Sequence, residues 1–169
     1  LHAVAESSNP MLYKLIKISN KEGEGLDQLP SGSADDIFFD IEGFPLIDGG
    51  LEYLWGASYY NQSKSLDFID YWAHDQEGEK NALSNFITFA FDKWKKNPNM
   101  HIYHYGNYEI ASIRRLMGRY GICEYEVDTL LRQNVFVDLY KIIKNSILIG
   151  EPGYSCLLYT SPSPRDYPG

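Results

Sequence analysis

Residues 36–43, Asp-Ile-Phe-Phe-Asp-Ile-Glu-Gly, constrain this chain more than any other stretch. Ile37, Phe39 and Ile41 alternate with Phe38, Asp40 and Glu42, and a period of two is the pattern of a β-strand. Asp40 and Glu42 stand two apart, so a strand points both carboxylates to one face. The apolar neighbours imply a central strand, where two carboxylates are costly unless something positive offsets them. A divalent cation held by oxygen ligands does so, and Mg2+ or Mn2+ suits such ligands. An Asp-x-Glu pair alone is a weak signal, since two solvated acids on a half-exposed edge strand read the same way.

Gly43, Pro45 and Asp48-Gly49-Gly50 end this strand with turn chemistry. Further strands are expected at about residues 52–60 and, after the polar turn Asn61-Gln62-Ser63-Lys64, at 66–73. Short loops between them suggest an antiparallel meander. Over 77–97 the period becomes helical. Leu83, Phe86, Ile87, Ala90 and Trp94 share one face, and Lys80, Ser84, Asn85, Thr88, Asp92 and Lys95 face away. Asn97-Pro98-Asn99 stops the helix.

A fourth strand is expected at 100–105. Asn107 then stands as N-cap of a helix whose apolar face holds Ile110, Ile113, Met117 and Tyr120, and Gly121 closes it. Residues 124–132 suit a short helix, and 135–137 a fifth strand leading into 140–147. The order βββ-α-β-α-β, with the later strands parallel to the first, is that of a ribonuclease H-like α/β fold. A mixed five-stranded sheet with helices on both faces is the expected architecture.

The flanks differ. Residues 1–34 read as an upstream segment and linker, with Met11–Ile18 either a short strand or a helix. The domain proper spans 35–155. From Cys156 onward periodicity is lost, and the tail 156–169 reads as foreign or disordered, resembling translated sequencing-adapter read-through. The first residues lack the basic and apolar regions of a signal peptide and suggest a piece of a longer protein. Cys123 and Cys156 have no metal-site spacing, so free thiols in a reducing cytoplasm are expected. No apolar run is long enough to span a membrane.

The net charge of −8 argues against a surface that grips nucleic acid over its whole area, but not against a site built from carboxylates and cations. Lys93, Lys95, Lys96, Arg114, Arg115 and Arg119 could track a phosphate backbone, although solvated helix faces explain them more simply.

A second candidate element is His104-Tyr105-Gly106-Asn107-Tyr108-Glu109. A strand ends, turns at Gly106-Asn107 and enters a helix with Glu109 in its first turn. An acid there complements the helix dipole, or it reaches the Asp40/Glu42 face as a further metal ligand. His104 and Tyr108 could orient ligands, contact substrate or simply pack.

Five segments occur in order: Asp40–Gly43, Gly50–Gly56, Trp72–Asp75, His101–Tyr105 with Tyr108-Glu109, and Phe136–Tyr140. Together they resemble the YprB-type ribonuclease H-like domain of the RecB-like putative nucleases, within the DEDD group of 3′–5′ exonucleases. The resemblance implies that Asp40 and Glu42 form the first exonuclease motif and that Glu109 takes the place of the second-motif Asp. It further implies that His104 is the His often found five residues earlier, and that Asp138 is a supporting acid of lower weight. Two Mg2+ or Mn2+ ions, about 3.5–4 Å apart, would activate water and stabilise the leaving oxygen.

The implied partners are nucleic acid with single-stranded ends, a RecB-like segment upstream and a helicase domain. The chain departs from the pattern at Glu109, one methylene longer than Asp, and no third motif follows before Ser155. The domain is therefore expected to be incomplete at its C-terminus, binding metal weakly and cleaving poorly. The alternative is a catalytically silent module that binds nucleic acid or a neighbouring domain.

Overall fold

The computed structural model describes residues 13–16 and 23–149. Along the chain run β1 (Tyr13–Leu15), a 3-10 turn (Gly25–Gln28), β2 (Ile37–Phe44), β3 (Leu51–Tyr60), β4 (Leu66–Trp72), α1 (Gln76–Lys96), β5 (Ile102–His104), α2 (Tyr108–Tyr120), α3 (Glu124–Arg132), β6 (Phe136–Asp138), α4 (Leu139–Ser146) and β7 (Ile147–Ile149). They fall into two compact units, one spanning 29–139 and the other combining 1–28 with 140–169.

In the larger unit the five strands form one mixed sheet, in the order β4-β3-β2-β5-β6. The meander β2-β3-β4 is antiparallel, and β5 and β6 run parallel to β2. Asp36 helps set the parallel pairing: its buried carboxylate accepts the His101 N–H at 2.8 Å and the Ser33 N–H at 2.7 Å. Beside it the Ile37 N–H reaches the His101 carbonyl at 2.9 Å.

Ile37, Phe39 and Ile41 are buried, while Phe38, Asp40 and Glu42 are exposed, as a strand covered on one face requires. The buried face meets α1, α2 and α3 in a single apolar cluster that includes Trp55, Leu83, Phe86, Ile113, Leu116 and Leu130. Phe39 and Phe86 stack there at 3.8 Å between ring centroids. Each large side chain in such a core contributes roughly 2–3 kcal/mol through burial.

The expected α/β fold and mixed five-stranded sheet are present. In the larger unit α1, α2 and α3 pack on the Ile37/Phe39/Ile41 face of the sheet.

Helix α1 starts one residue earlier than its periodicity suggested, because Asp75 caps it by accepting the Gly78 N–H at 2.7 Å. Trp94 lies at the rim of the core, half-buried. Asn107 occupies the N-cap position of α2 but makes no side-chain cap bond, since its backbone is already helical. Gly121 closes α2 in the left-handed conformation, as expected.

In the smaller unit β1 pairs antiparallel with β7, with Tyr13 opposite Ile149. This resolves residues 13–15 as strand. The reading of 156–169 as foreign, Cys156 and the region where a third motif would follow lie outside the described residues. No helix among the described residues is long and apolar enough to cross a membrane.

Candidate functional site

Strand register arranges the open face in rows. Asp40 lies opposite Gly56 of β3, which lies opposite Asp70 of β4; Glu42 lies opposite Leu54, and Leu54 opposite Trp72. Phe38 pairs with Ser58 on one side and with Tyr103 of β5 on the other, and its ring stacks on that of Tyr103 at 5.3 Å. Gly56 has no side chain to hold off the Phe68 ring, which leans over it. The result is a groove of about 420 Å³ with Asp40 and Glu42 in its wall and Phe38, Phe68 and Tyr103 beside them.

Glu109 enters from α2. It is 3% exposed despite its place in the first helical turn. Its carboxylate faces Asp40, and the effect on Asp40 is large. Asp40's pKa is pushed up to about 6, first by loss of solvent around its carboxyl, then by the charge of Glu109 and a hydrogen bond with it, and less by Glu42. Asp40 keeps an exposed edge, so the crowding acts on a carboxyl at the groove wall rather than in the core. An adjacent carboxylate pair of this kind holds a proton where a cation would otherwise sit.

Of the three acids singled out in the sequence, Asp40 and Glu109 meet directly, and Glu42 acts on Asp40 through space. His104 is buried on β5, with its Nδ1 3.6 Å from Glu109 Oε2. Neither atom has a hydrogen-bond partner among the described residues. Asp138 stands across from His104 on β6. Its Oδ1 accepts the Gly106 N–H at 3.0 Å, holding the turn that leads into α2. Gly106 has φ +102°, a backbone conformation that favours glycine.

Tyr108 is directed to Glu52. Its hydroxyl donates to Glu52 Oε2 at 2.7 Å across the backbone of Gly43, where a side chain would collide with both groups. Burial and the Glu52 carboxylate push the phenol up to about 12, so Tyr108 serves as a neutral donor.

The sequence reading missed the partners of Tyr108. Glu52 and Glu79 are both buried, and between them they hold Ser112, Arg115, Arg119 and Tyr120 of α2. The signal was available: Tyr108, Ser112, Arg115 and Arg119 recur at i, i+4, i+7 and i+11, a polar stripe beside the apolar one. The basic cluster is accordingly far from uniformly solvated. Arg115 and Arg119 pair with buried acids, Lys93 lies 3.5 Å from Asp35, and Lys95 pairs with Asp92 on the helix surface.

Among the described residues, no group of three or more His, Cys, Asp or Glu side chains is arranged to hold a metal ion. The donor chemistry is nonetheless that of a hard-cation site: carboxylate oxygens only, one of them buried and without a hydrogen bond.

The RNase_H_2 family model, described as RNase_H superfamily, matches residues 37–158. The chain belongs to the RNase H superfamily. The match begins at the strand that carries Asp40 and Glu42 and continues through Glu109 and Asp138. No curated protein and no solved structure matches the chain. RNase H superfamily membership suggests a nuclease-type function, and RNase H-like nucleases generally use divalent metal ions.

Proposed function

We propose that this RNase H-like domain is a metal-dependent nuclease of the 3′–5′ exonuclease type, acting on phosphodiester bonds of DNA or RNA at Asp40, Glu42 and Glu109. The observation that carries the reading is the contact between Asp40 and Glu109, with Glu109 Oε2 buried and unclaimed by any hydrogen bond. Mg2+ or Mn2+ would be held by Asp40 and Glu109, with Glu42 beside them. Bound divalent ions supply water activation and stabilisation of the leaving oxygen in this chemistry.

The chain's own part is to present the acids. Asp40 must shed its proton before it can act as a ligand, so ligation strengthens as pH rises through about 6. His104 stands 3.6 Å from the buried Oε2 of Glu109, where it would help orient that carboxylate. Phe38, Phe68 and Tyr103 give the groove aromatic walls suited to an unpaired strand end, since bases stack on such rings whatever their sequence.

The finer assignment, a YprB-type domain of the RecB-like putative nucleases, rests on the ordered motifs from Asp40 to Tyr140. The partners it brings are nucleic acid, a RecB-like nuclease segment and a helicase domain, in a reducing cytoplasm. The test is calorimetric titration with Mn2+, followed by incubation with end-labelled single-stranded DNA and RNA. Weak Mn2+ binding and slow 3′-end shortening, both lost in Asp40→Asn, are expected.

A silent module is the second reading, favoured by the lack of a three-ligand arrangement among the described residues. It predicts nucleic-acid or domain binding with no Mn2+ uptake at Asp40.

A further inference from the structure

Glu52 lies near the start of β3, next to the register shift between Glu42 and Gly43, and is 3% exposed. A buried carboxylate survives only if it is well bonded. Here three donors meet it, and all three belong to α2. The Tyr108 hydroxyl reaches Oε2 at 2.7 Å, the Ser112 hydroxyl reaches Oε1 at 2.9 Å, and the Arg115 guanidinium closes on the same oxygen.

These residues occupy the first two turns of α2, and Glu109 stands between the first two of them. The far end of the helix is tied separately. Glu79 of α1 receives Tyr120 and Arg119, and it also accepts the Glu52 N–H at 2.6 Å, which links the two anchors. Gly43 leaves the space through which Tyr108 reaches Glu52.

We propose that Glu52 is a positioning residue: through Tyr108, Ser112 and Arg115 it holds the first turns of α2 so that Glu109 faces Asp40. This rests on the reading of Asp40 and Glu109 as the site, but its first test does not need a metal. Amide hydrogen exchange is followed by mass spectrometry over residues 108–116 in the whole chain, for the parent, Glu52→Ala, Glu52→Gln and Arg119→Ala.

Glu52→Ala is expected to speed exchange in that segment by about tenfold relative to peptides from α1 and β3, through local opening of the helix start. Glu52→Gln keeps one acceptor oxygen for Ser112 and Arg115, while its amide N–H can donate to the Tyr108 hydroxyl, and it should restore a large part of the protection. Arg119→Ala frees the far end and should leave 108–116 protected. Uniform acceleration throughout the sheet and helices in Glu52→Ala, or no acceleration, overturns the proposal. Should Glu52→Ala fail to fold, the double variant Tyr108→Phe/Ser112→Ala, which keeps the Arg115 pair, takes its place with the same two readings.

Mn2+ titration adds the second readout. Loss of binding in Glu52→Ala with recovery in Glu52→Gln supports positioning, whereas localised exchange with unchanged Mn2+ binding overturns it. If the parent itself takes up no Mn2+, the metal-site reading falls and the exchange data alone decide the role of Glu52.

Discussion

Asp40 on β2 and Glu109 on α2 bring their carboxyls together, and burial, then the Glu109 charge, push the Asp40 pKa up to about 6. Two acids far apart in sequence are thus brought together in a groove, with the His104 imidazole 3.6 Å from Glu109 beside them. Such a pair is stabilised by a proton or by a cation.

Asp40 therefore makes folding depend on pH. Its folded pKa of about 6 lies above the ordinary carboxylate value of 3.8, so the native state binds more protons than the unfolded one between those values. Stability falls as pH rises through that window. Asp40→Asn removes the penalty and should raise stability near neutral pH by about 1 kcal/mol once solvent screening is allowed for. Thermal melts should show a gain of roughly 3 °C at neutral pH and none at about pH 4.

Glu109 contributes to that shift through its charge and its hydrogen bond, and burial contributes more. In Glu109→Gln the Asp40 titration should move down but stay above the ordinary value, because the groove still keeps water from the carboxyl. Carbon-detected NMR of the Asp40 carboxyl measures this. An unmoved titration would mean that the two groups do not meet.

Gly43 is required by what crosses it. An alanine there would collide with the Tyr108 hydroxyl and the Glu52 carboxylate, which are hydrogen-bonded to each other. Gly43→Ala should cost about 1–3 kcal/mol, the usual range for overpacking, by urea denaturation. It should also reduce Mn2+ affinity, since the displaced Tyr108 precedes Glu109.

Asp138 holds the turn before α2 by accepting the Gly106 N–H. Asp138→Ala should cost about 1–2 kcal/mol in chemical denaturation, the loss expected when a part-buried donor keeps no acceptor. Mn2+ affinity should fall less than in Asp40→Asn, because Asp138 shapes the turn rather than facing Asp40.

Local patterns made much of the fold legible. The alternation from Ile37 to Glu42, the stripe from Leu83 to Ala90 and Gly121 at the end of α2 each report structure decided within a few residues. The β1–β7 pairing was not legible, because strands of three residues carry almost no period and their partners lie at opposite ends of the chain. Asn107 does occupy the N-cap position of α2, but its backbone there is already helical and it makes no side-chain cap bond, which residue type alone could not show. Tyr120 read as a core residue because its ring is apolar, while its hydroxyl is spoken for by Glu79.

The sequence by itself determined the central strand and the common direction of Asp40 and Glu42, since a two-residue pleat period is a property of the backbone. It also carried enough ordered motif to mark the RNase H superfamily. Only the tertiary structure decided that Glu109 meets Asp40, that His104 stands beside it and that Glu52 gathers three donors from one helix. Those contacts depend on where the β5–α2 turn and the Glu42/Gly43 bulge aim their side chains. That aim is set by long-range packing and is absent from any local window of residues.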